Sequence, residues 1–305
     1  MIVCFDIGGT AIKGAVAHAP EDVRPLPRRP TPLQDFDAFV QVLRDTIAES
    51  GGAPECIAIS IAGVLDPDSG AATVANIPCI HGRRLVADLE AALALPVIVA
   101  NDADCFAIAE AGLGAGRGHR VVFGAIIGSG VGGGLVIDGR LINSHGGFAG
   151  EWGHGPVAAT RTGNPPLEIP RFQCGCGLKG CVDATCSARG METLHMHLHG
   201  ERLTSEEIIA GWDAGELKAS QTIDIVVDVI ASPLALVINV TGATIVPVGG
   251  GLSNSRTFLQ AIDAAVRARI LRRFDRPLVV PALCTVEPGL LGAALLGLTA
   301  NHQKE

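Results

Sequence analysis

The two stretches that say most about the fold are GEWGH at residues 150–154 and CGCGLKGC at residues 174–181. Together they supply one imidazole and three thiols in close succession, which is a ligand set for tetrahedral zinc. The candidate ligands are His154, Cys174, Cys176 and Cys181. Four protein ligands would leave no coordination position for water, so the pattern predicts a structural metal site. The catalytic groups must then lie elsewhere in the chain.

A disulfide framework is the alternative for these cysteines. The chain has nine cysteines, and those outside the cluster are scattered at Cys4, Cys56, Cys79, Cys105, Cys186 and Cys284. A secreted disulfide framework would be expected in a smaller chain with regular spacing. The neighbouring histidine and the glycine-rich turns favour reduced thiols around zinc, and therefore a cytoplasmic protein.

Size and charge narrow the possible functions. The chain has 305 residues and a formal net charge of -8, so it is long enough for two domains and is an unfavourable partner for nucleic acid or an anionic membrane. No apolar run approaches the ~18 to 20 residues that span a bilayer. The first residues have the pattern of a strand, without the basic region and cleavage site of a secretory signal.

Predicted strands and helices are mixed along the whole chain, which indicates an α/β fold. The predicted strands are Met1–Ile7, Ile12–Ala19, Cys56–Ile61, Pro96–Ala100, Val121–Ile127, Gly132–Ile137 and Ala243–Val248. The predicted helices are Asp35–Glu49, one marked by Leu85, Leu89 and Leu93, then Ala103–Ala111, Thr222–Val240 and Leu290–Thr299. A capping box is predicted at Thr204–Glu207, and Pro233 is expected to kink or split the long helix that contains it. The glycine-rich stretch 112–118 is the predicted hinge.

Three glycine-rich turns could hold phosphate groups. The first, DIGGTAIK at residues 6–13, follows a strand, and its glycines allow backbone amides to point at phosphate oxygens. Thr10 offers a hydroxyl, Lys13 a cation, and Asp6 a carboxylate for Mg²⁺ held through water. The alternative is an ordinary hairpin turn between two strands.

The second turn, GSGVGGG at residues 128–134, contains the letters of a dinucleotide fingerprint. That fingerprint should open a helix, whereas a second strand and an Asp138-Gly139 hairpin turn follow here, so a phosphate-binding hairpin is favoured. The third turn, GGGLS at 249–253, lies between a strand and a helix and could accept adenine and ribose. The candidate ATP-binding residues of the three turns are Asp6, Gly8, Gly9, Thr10, Lys13, Ser129, Gly130, Gly249, Gly250, Gly251 and Leu252.

Asp102 is the candidate catalytic base. It follows a predicted strand beside Asn101, where a carboxylate can project into a cleft and accept a hydroxyl proton. The alternative is an N-cap of the following helix, a position that aspartate also favours. Asp104 is a second candidate by charge alone.

These motifs together resemble the ROK family of sugar kinases, within the actin and hexokinase-like ATPases. The resemblance extends over nearly the whole chain, and the combination of GE-x-GH with CGCGxxGC is its most specific part. It is carried by DIGGTAIKGAV at 6–16, NDADCFAIAEA at 101–111, GSGVGGGLVIDGRLI at 128–142, GEWGH at 150–154, CGCGLKGC at 174–181 and VGGGLSN at 248–254. Within the family, the stretches around 84–111 and 247–254 are most similar to bacterial N-acetyl-D-glucosamine kinases.

The resemblance implies a two-domain fold with an interdomain cleft, in which ATP and Mg²⁺ serve to phosphorylate a hexose at its 6-hydroxyl. We expect a small α/β domain over residues 1–117, completed by the C-terminal helix 290–305, and a large α/β domain over 118–289 that carries the zinc segment. The resemblance also implies a homodimer and places the catalytic aspartate at Asp102. The residues implied to contact the sugar are Gly63, Asn76, Asn101, Asp102, Glu151, His154 and Asp183. His154 would bind zinc with one ring nitrogen and a sugar hydroxyl with the other.

Some positions and functions remain open at this stage. The family usually has glutamate where this chain has Asp183, so its reach to a sugar hydroxyl is in question, and Cys79 stands where many relatives have glycine. Glucose and N-acetylmannosamine are alternative substrates. A sugar-responsive regulator would carry a helix-turn-helix before the first phosphate turn, which here begins at Asp6. A non-catalytic sugar sensor is the remaining alternative.

Overall fold

The computed structural model describes residues 1–163 and 165–302. Its strands are β1 Ile2–Ile7, β2 Ala11–Ala19, β3 Asp22–Pro25, β4 Arg29–Pro30, β5 Ile57–Ile61, β6 Val64–Leu65, β7 Ala72–Thr73, β8 Val97–Asn101, β9 Val121–Ile127, β10 Val131–Ile137, β11 Arg140–Leu141, β12 Arg161–Thr162, β13 Leu167–Glu168, β14 Val246–Gly249 and β15 Val279–Pro281. Its helices are α1 Phe36–Ala48, α2 Leu85–Leu93, α3 Asp102–Gly112, α4 Asp183–Cys186, α5 Ala188–His199, α6 Ser205–Asp213, α7 Leu217–Thr241, α8 Arg256–Arg267 and α9 Pro288–His302. Short 3₁₀ turns occupy Pro78–Ile80 and Gly251–Asn254. The predicted α/β class is confirmed.

The chain forms two compact units. Unit 1 comprises residues 1–114, 139–149 and the part that begins at Cys284, and unit 2 comprises residues 115–138 and 150–283. The domain limits predicted from the sequence stay a prediction. The last residues of the predicted C-terminal helix, 303–305, lie outside the described part of the chain.

Unit 1 is built on a mixed sheet with the strand order β3–β2–β1–β5–β8, and β4 pairs with β2. The β1–β2 pair is an antiparallel hairpin, whereas β5 and β8 continue the sheet in parallel from β1. Alternate apolar side chains of these strands, such as Phe5 and Ile59, are buried in the core with α1 and α2. The carboxyl ends of β1, β5 and β8 therefore meet at one edge, which is where ligands bind in α/β sheets.

Helix α9 packs against β1, β5 and α3 within unit 1. Its glycines allow this close approach: a Cβ at Gly297 would overlap Ile2, and one at Gly289 would lie 2.8 Å from Asp6 Oδ1. The N-terminus of α9 is thereby brought to the carboxyl end of β1.

Unit 2 contains the antiparallel β9–β10 hairpin, with β14 parallel to β9 and β15 parallel to β14. The predicted Asp138-Gly139 turn is confirmed: both residues have positive φ, at 51° and 74°, as a type I′ hairpin turn requires. The predicted capping box at Thr204 and Glu207 is also present, at the start of α6.

Helix α7 corrects one expectation from the sequence, because it runs through Pro233 as a single helix and is not split there. Proline in a helix interior costs about 3 kcal/mol. Apolar residues on both sides of it, including Ile230 and Leu234, are fully buried in the core, and this packing outweighs the cost. By length and composition α7 could cross a membrane, but half of its most apolar window is buried inside the protein, as in the core helix of a globular unit.

Candidate functional site

The first glycine-rich turn connects β1 to β2, as the hairpin interpretation predicted. Gly8 N donates to Ala11 O at 3.0 Å, and the Thr31 hydroxyl donates to Gly8 O at 2.7 Å. A Cβ at Gly9 would lie 3.1 Å from the Cβ of Asn76, so only glycine fits there without displacement. The hairpin geometry does not compete with phosphate binding, because the turn opens onto a cavity.

That cavity has a volume of about 280 Å³ and lies at the carboxyl edge of the unit 1 sheet. It brings together the predicted base and the predicted phosphate ligands of the first turn. Its lining includes Asp6, Gly8, Gly9, Thr10, Lys13 and Asp102. Arg28 also lines it, although nothing in the sequence singled this residue out. The cavity therefore offers backbone amides, two cations and two carboxylates within one small space.

Lys13 lies between two carboxylates. Its Nζ is 3.3 Å from Asp6 Oδ2 and 2.6 Å from Glu287 Oε2. Partial burial lowers the pKa of Lys13, but these two carboxylates outweigh it, and the net pKa is raised. The ammonium therefore stays protonated and available to a phosphate group. Glu287 precedes α9 and was not singled out from the sequence.

Asn101, rather than Asp102, is the N-cap of α3. The side-chain oxygen Oδ1 of Asn101 accepts a hydrogen bond from Ala103 N at 2.8 Å, and its side-chain nitrogen Nδ2 donates to Gly63 O at 2.9 Å. Asp102 is the first residue of the helix and is exposed. Three residues predicted to contact substrate thus lie side by side in unit 1, and the capping role expected of Asp102 as an alternative belongs to its neighbour.

Asp104 is unsuited to the role of catalytic base. It is buried, and its two carboxylate oxygens lie 3.3 and 3.0 Å from Asn143 Nδ2. Asn143 also donates to Ala149 O at 2.7 Å. Asp104 therefore stabilises the 143–149 loop and does not line the cavity.

Unit 2 holds the predicted metal ligands as one cluster. The ligand atoms of His154, Cys174, Cys176 and Cys181 all lie within 4.8 Å of one another. The Cys176 and Cys181 sulfurs are 3.7 Å apart, and Cys174 Sγ is 3.6 Å from His154 Nδ1. The disulfide alternative is wrong for this cluster, because a disulfide requires an S–S distance of about 2.05 Å and all four thiols of 174–186 are free.

The Cys176–Cys181 and Cys174–His154 distances match those between two ligands of a tetrahedral ion. Bonds of about 2.3 Å to sulfur and about 2.0 Å to nitrogen separate two sulfurs by roughly 3.8 Å, and a sulfur from a nitrogen by roughly 3.6 Å. Burial raises the pKa of the Cys174 thiol to about 12, so deprotonating it in place requires a nearby positive charge. The cluster could hold a metal ion that provides this charge.

The two ring nitrogens of His154 face different neighbours. Nδ1 faces the Cys174 sulfur, whereas Nε2 lies 3.9 Å from Glu151 Oε2. Burial raises the pKa of Glu151, and the attraction of the His154 ring offsets this only in part. A metal ion bound at Nδ1 would leave Nε2 and the Glu151 carboxylate together as polar groups for a ligand.

The GEWGH loop is fixed against strand β10 by its own residues. A Cβ at Gly150 or Gly153 would overlap a carbonyl oxygen of β10, that of Gly133 or Val131 respectively. Trp152 is buried below the loop, where its indole N–H donates to Gly132 O at 2.8 Å. Glycine is therefore required on both sides of the tryptophan, and the loop positions Glu151 and His154 at a fixed height above the strand.

Gly153→Ala should test this close packing. The added methyl would overlap Val131 O, and Gly153 has no positive φ that would add strain of its own. We expect the free energy of unfolding to fall by about 1–3 kcal/mol, with a reduced bound-metal content, in denaturant titrations and metal analysis. Gly175→Ala is the matched control, because a Cβ at Gly175 meets nothing within 4 Å. Equal stability of the two variants would contradict the packing argument.

The second and third glycine-rich turns lie next to each other in unit 2. They follow the parallel strands β9 and β14, and a Cβ at Gly128 would lie 3.2 Å from Gly251 N. Gly250 has a φ of 92°, a conformation that favours glycine. The side chain of Leu252 is buried in the core, so a nucleotide could meet only its backbone. The dinucleotide interpretation of 128–134 is excluded, since strand β10 follows it and no helix.

Asp183 contacts protein on both carboxylate oxygens. Oδ1 accepts a hydrogen bond from Val131 N at 2.7 Å, and Oδ2 lies 3.5 Å from Cys174 Sγ. Its implied sugar contact stays a prediction. The hydrogen bond to Val131 could not be found from the sequence, because the two residues are 52 positions apart.

Comparison with known proteins finds similarity over almost the whole chain. The ROK family model matches residues 2–300. The N-acetyl-D-glucosamine kinase of Pectobacterium atrosepticum is 36% identical over 300 residues, which are 97% of this chain and 99% of that protein. The crystal structure of a ROK hexokinase from Thermus thermophilus is similar with a TM-score of 0.83 and 27% identity over 99% of each chain. A ROK family glucokinase from Streptomyces griseus, in complex with glucose and AMPPNP, has a TM-score of 0.71 and 26% identity over 98% of this chain and 99% of that one.

Proposed function

Since the chain belongs to the ROK family, we propose that it is an ATP-dependent kinase that phosphorylates N-acetyl-D-glucosamine at its 6-hydroxyl. The observation that carries the proposal is the cavity of unit 1, in which the Asp102 carboxylate lines the same space as the turn of residues 8–10. A base within reach of a phosphate-binding turn is what phosphoryl transfer to a hydroxyl requires.

Residues of unit 1 would accept the hydroxyl proton and neutralise the phosphate charge. Asp102 would accept the proton of the 6-hydroxyl as that oxygen attacks the terminal phosphorus of ATP, whose bond to the bridging oxygen breaks to release ADP. The amides of Gly8 and Gly9, the Thr10 hydroxyl and the Lys13 ammonium would neutralise charge on the phosphate oxygens. Asp6 would hold Mg²⁺ through water, and that ion supplies further charge neutralisation to the phosphates. The half-buried Asp6 carboxylate, already beside Lys13, fits such a role.

The proposed sugar ligands are groups described above within each unit. In unit 1, Asn76 and Asn101 would donate hydrogen bonds to sugar hydroxyls, and Gly63 would line the pocket with its backbone. In unit 2, the Glu151 carboxylate would accept hydrogen bonds from sugar hydroxyls, and His154 Nε2–H would donate one. Ser129 and Gly130, together with Gly249–Leu252, would contact ATP. Each of these groups has the hydrogen-bonding capacity that its role needs.

The metal site of unit 2 would hold structural Zn²⁺. Four ligands close the coordination shell, so the ion would fix the geometry of the 150–183 segment and would take no part in phosphoryl transfer. The proposal also includes a homodimer in the cytoplasm, as the resemblance implies, with the sugar and ATP as small-molecule partners. Neither nucleic acid nor a membrane is among the proposed partners.

A comparison of three sugars tests the substrate. With ATP and Mg²⁺, we expect kcat/KM for N-acetylglucosamine to exceed that for glucose and N-acetylmannosamine by about tenfold or more, which corresponds to about 1.4 kcal/mol in transition-state binding. A coupled assay for ADP release measures all three under the same conditions. A tenfold preference for glucose would contradict the acetylated substrate, and no turnover with any of the three would contradict the kinase function itself.

A further inference from the structure

The turn between β9 and β10 is held from outside the hairpin. Within the turn, Gly128 N donates to Gly130 O at 2.9 Å. The backbone N–H of Val131, the first residue of β10, donates to Asp183 Oδ1 at 2.7 Å. A Cβ at Gly130 would lie 3.0 Å from that same oxygen, so the carboxylate packs directly under the turn. Ser129 and Gly130 of this turn are proposed above to contact ATP.

The beginning of α5 holds the same turn from a second side. Ala188 N donates to Gly128 O at 2.7 Å, and Arg189 Nε donates to Ser129 O at 3.3 Å. The helix start is itself fixed, because the Ser187 hydroxyl oxygen accepts a hydrogen bond from Gly190 N at 3.1 Å. Three contacts from residues 183–189 therefore fix the backbone of residues 128–131.

The segment 183–189 also begins at the metal cluster. Asp183 follows Cys181 by two residues, and its second carboxylate oxygen lies 3.5 Å from Cys174 Sγ. Its backbone N–H donates to Gly153 O at 2.9 Å, in the GEWGH loop. One residue thus contacts the nucleotide turn, a metal-ligating sulfur and the loop that carries His154.

We propose that Asp183 is a positioning residue for the nucleotide, which connects the metal cluster to the β9–β10 turn. The inference rests on the proposed kinase function, because it assigns ATP to that turn. A short carboxylate is suited to this role, since its Oδ1 meets Val131 N from directly below the strand. With this amide fixed, the neighbouring N–H groups of the turn keep one orientation towards a phosphate.

Asp183→Ala and Asp183→Asn test the proposal together. Alanine removes the acceptor of the Val131 amide, whereas asparagine keeps an acceptor oxygen at nearly the same place. Because a hydrogen bond to a charged group typically changes an equilibrium by about tenfold or more, we expect Asp183→Ala to raise the Kd for AMPPNP and the KM for ATP by about tenfold. The KM for ATP should rise by a larger factor than the KM for the sugar, and asparagine should restore most of the ATP affinity.

Two further measurements separate positioning from general loss of structure. In the ligand-free protein, hydrogen exchange of residues 126–134 should become faster in Asp183→Ala, while the bound-metal content stays that of the unchanged protein. If alanine prevents folding, Arg189→Ala replaces it, because Arg189 is exposed and contacts the turn from the other side. Faster exchange of the turn and weaker AMPPNP binding are expected there too.

The opposite pattern would overturn the proposal. A raised sugar KM in both Asp183 variants, with unchanged AMPPNP affinity and unchanged exchange of residues 126–134, would make Asp183 a sugar ligand. The failure of the kinase function would be distinguishable, since the unchanged protein would then phosphorylate none of the three sugars. AMPPNP binding and hydrogen exchange depend on no particular sugar, so they would still decide the role of Asp183.

Discussion

Asp102→Asn is expected to lower kcat for sugar phosphorylation by about 10²–10⁴-fold, the range that a general base typically contributes. Asparagine has the same shape but cannot take up the hydroxyl proton. The sugar should still bind, because an amide keeps the hydrogen-bonding capacity of the site. Steady-state kinetics gives kcat, and calorimetric titration with N-acetylglucosamine gives the sugar Kd.

The same substitution two residues further on is the matched control. Asp104 is buried against Asn143 and lies outside the lining of the cavity. Asp104→Asn should therefore lower the melting temperature, while kcat of the folded enzyme stays within about threefold. If Asp102→Asn keeps full turnover, or if Asp104→Asn loses it as severely, Asp102 is not the base. A protein that binds sugar but shows no turnover even with Asp102 intact would instead be a sugar sensor.

Most of the elements that carry the candidate site residues could be predicted from the sequence. Local patterns mark them: β9 was predicted with its observed bounds Val121–Ile127, and the helix predicted at 35–49 is α1 with Asp35 as its N-cap. The cluster of candidate metal ligands was also predictable, because three of its four residues lie within eight positions and such spacing is itself a signal. Features that depend only on neighbouring residues can therefore be predicted from local sequence patterns.

The features that were missed depend on contacts between distant parts of the chain. Pro233 breaks a local rule, and only the burial of α7 explains why the helix continues. Arg28 reaches the phosphate cavity because β4 pairs with β2, a register that a proline-rich loop does not reveal. A helix cap was correctly expected near Asp102, but the N-cap is Asn101, one residue earlier. The exact ends of a helix are its least certain feature when it is predicted from sequence.

Cys176→Ser is the second substitution for which we expect a large effect. Cys176 is the exposed ligand of the cluster, so the substitution removes a metal ligand and disturbs little packing. Because metal-binding free energy in a structural site contributes directly to folding, loss of the ion should loosen residues 150–183. We expect the bound-metal content to fall well below one per chain, and the Kd for N-acetylglucosamine to rise by at least about tenfold.

Cys79→Ser is the matched control for this experiment, since Cys79 is half-buried in unit 1 and its sulfur contacts Pro32 O at 3.2 Å, a partner that a serine hydroxyl can keep. It should leave metal content and sugar affinity unchanged. In Cys176→Ser, hydrogen exchange should increase in the GEWGH loop, because His154 would lose the ion that fixes its ring while Gly150 and Gly153 still hold the loop to β10. An unchanged sugar Kd in verified metal-free protein would show that β10 alone positions Glu151 and His154. The close approach of the two glycines would then be sufficient to position these two side chains in unit 2, and the metal would serve only the stability of residues 174–181.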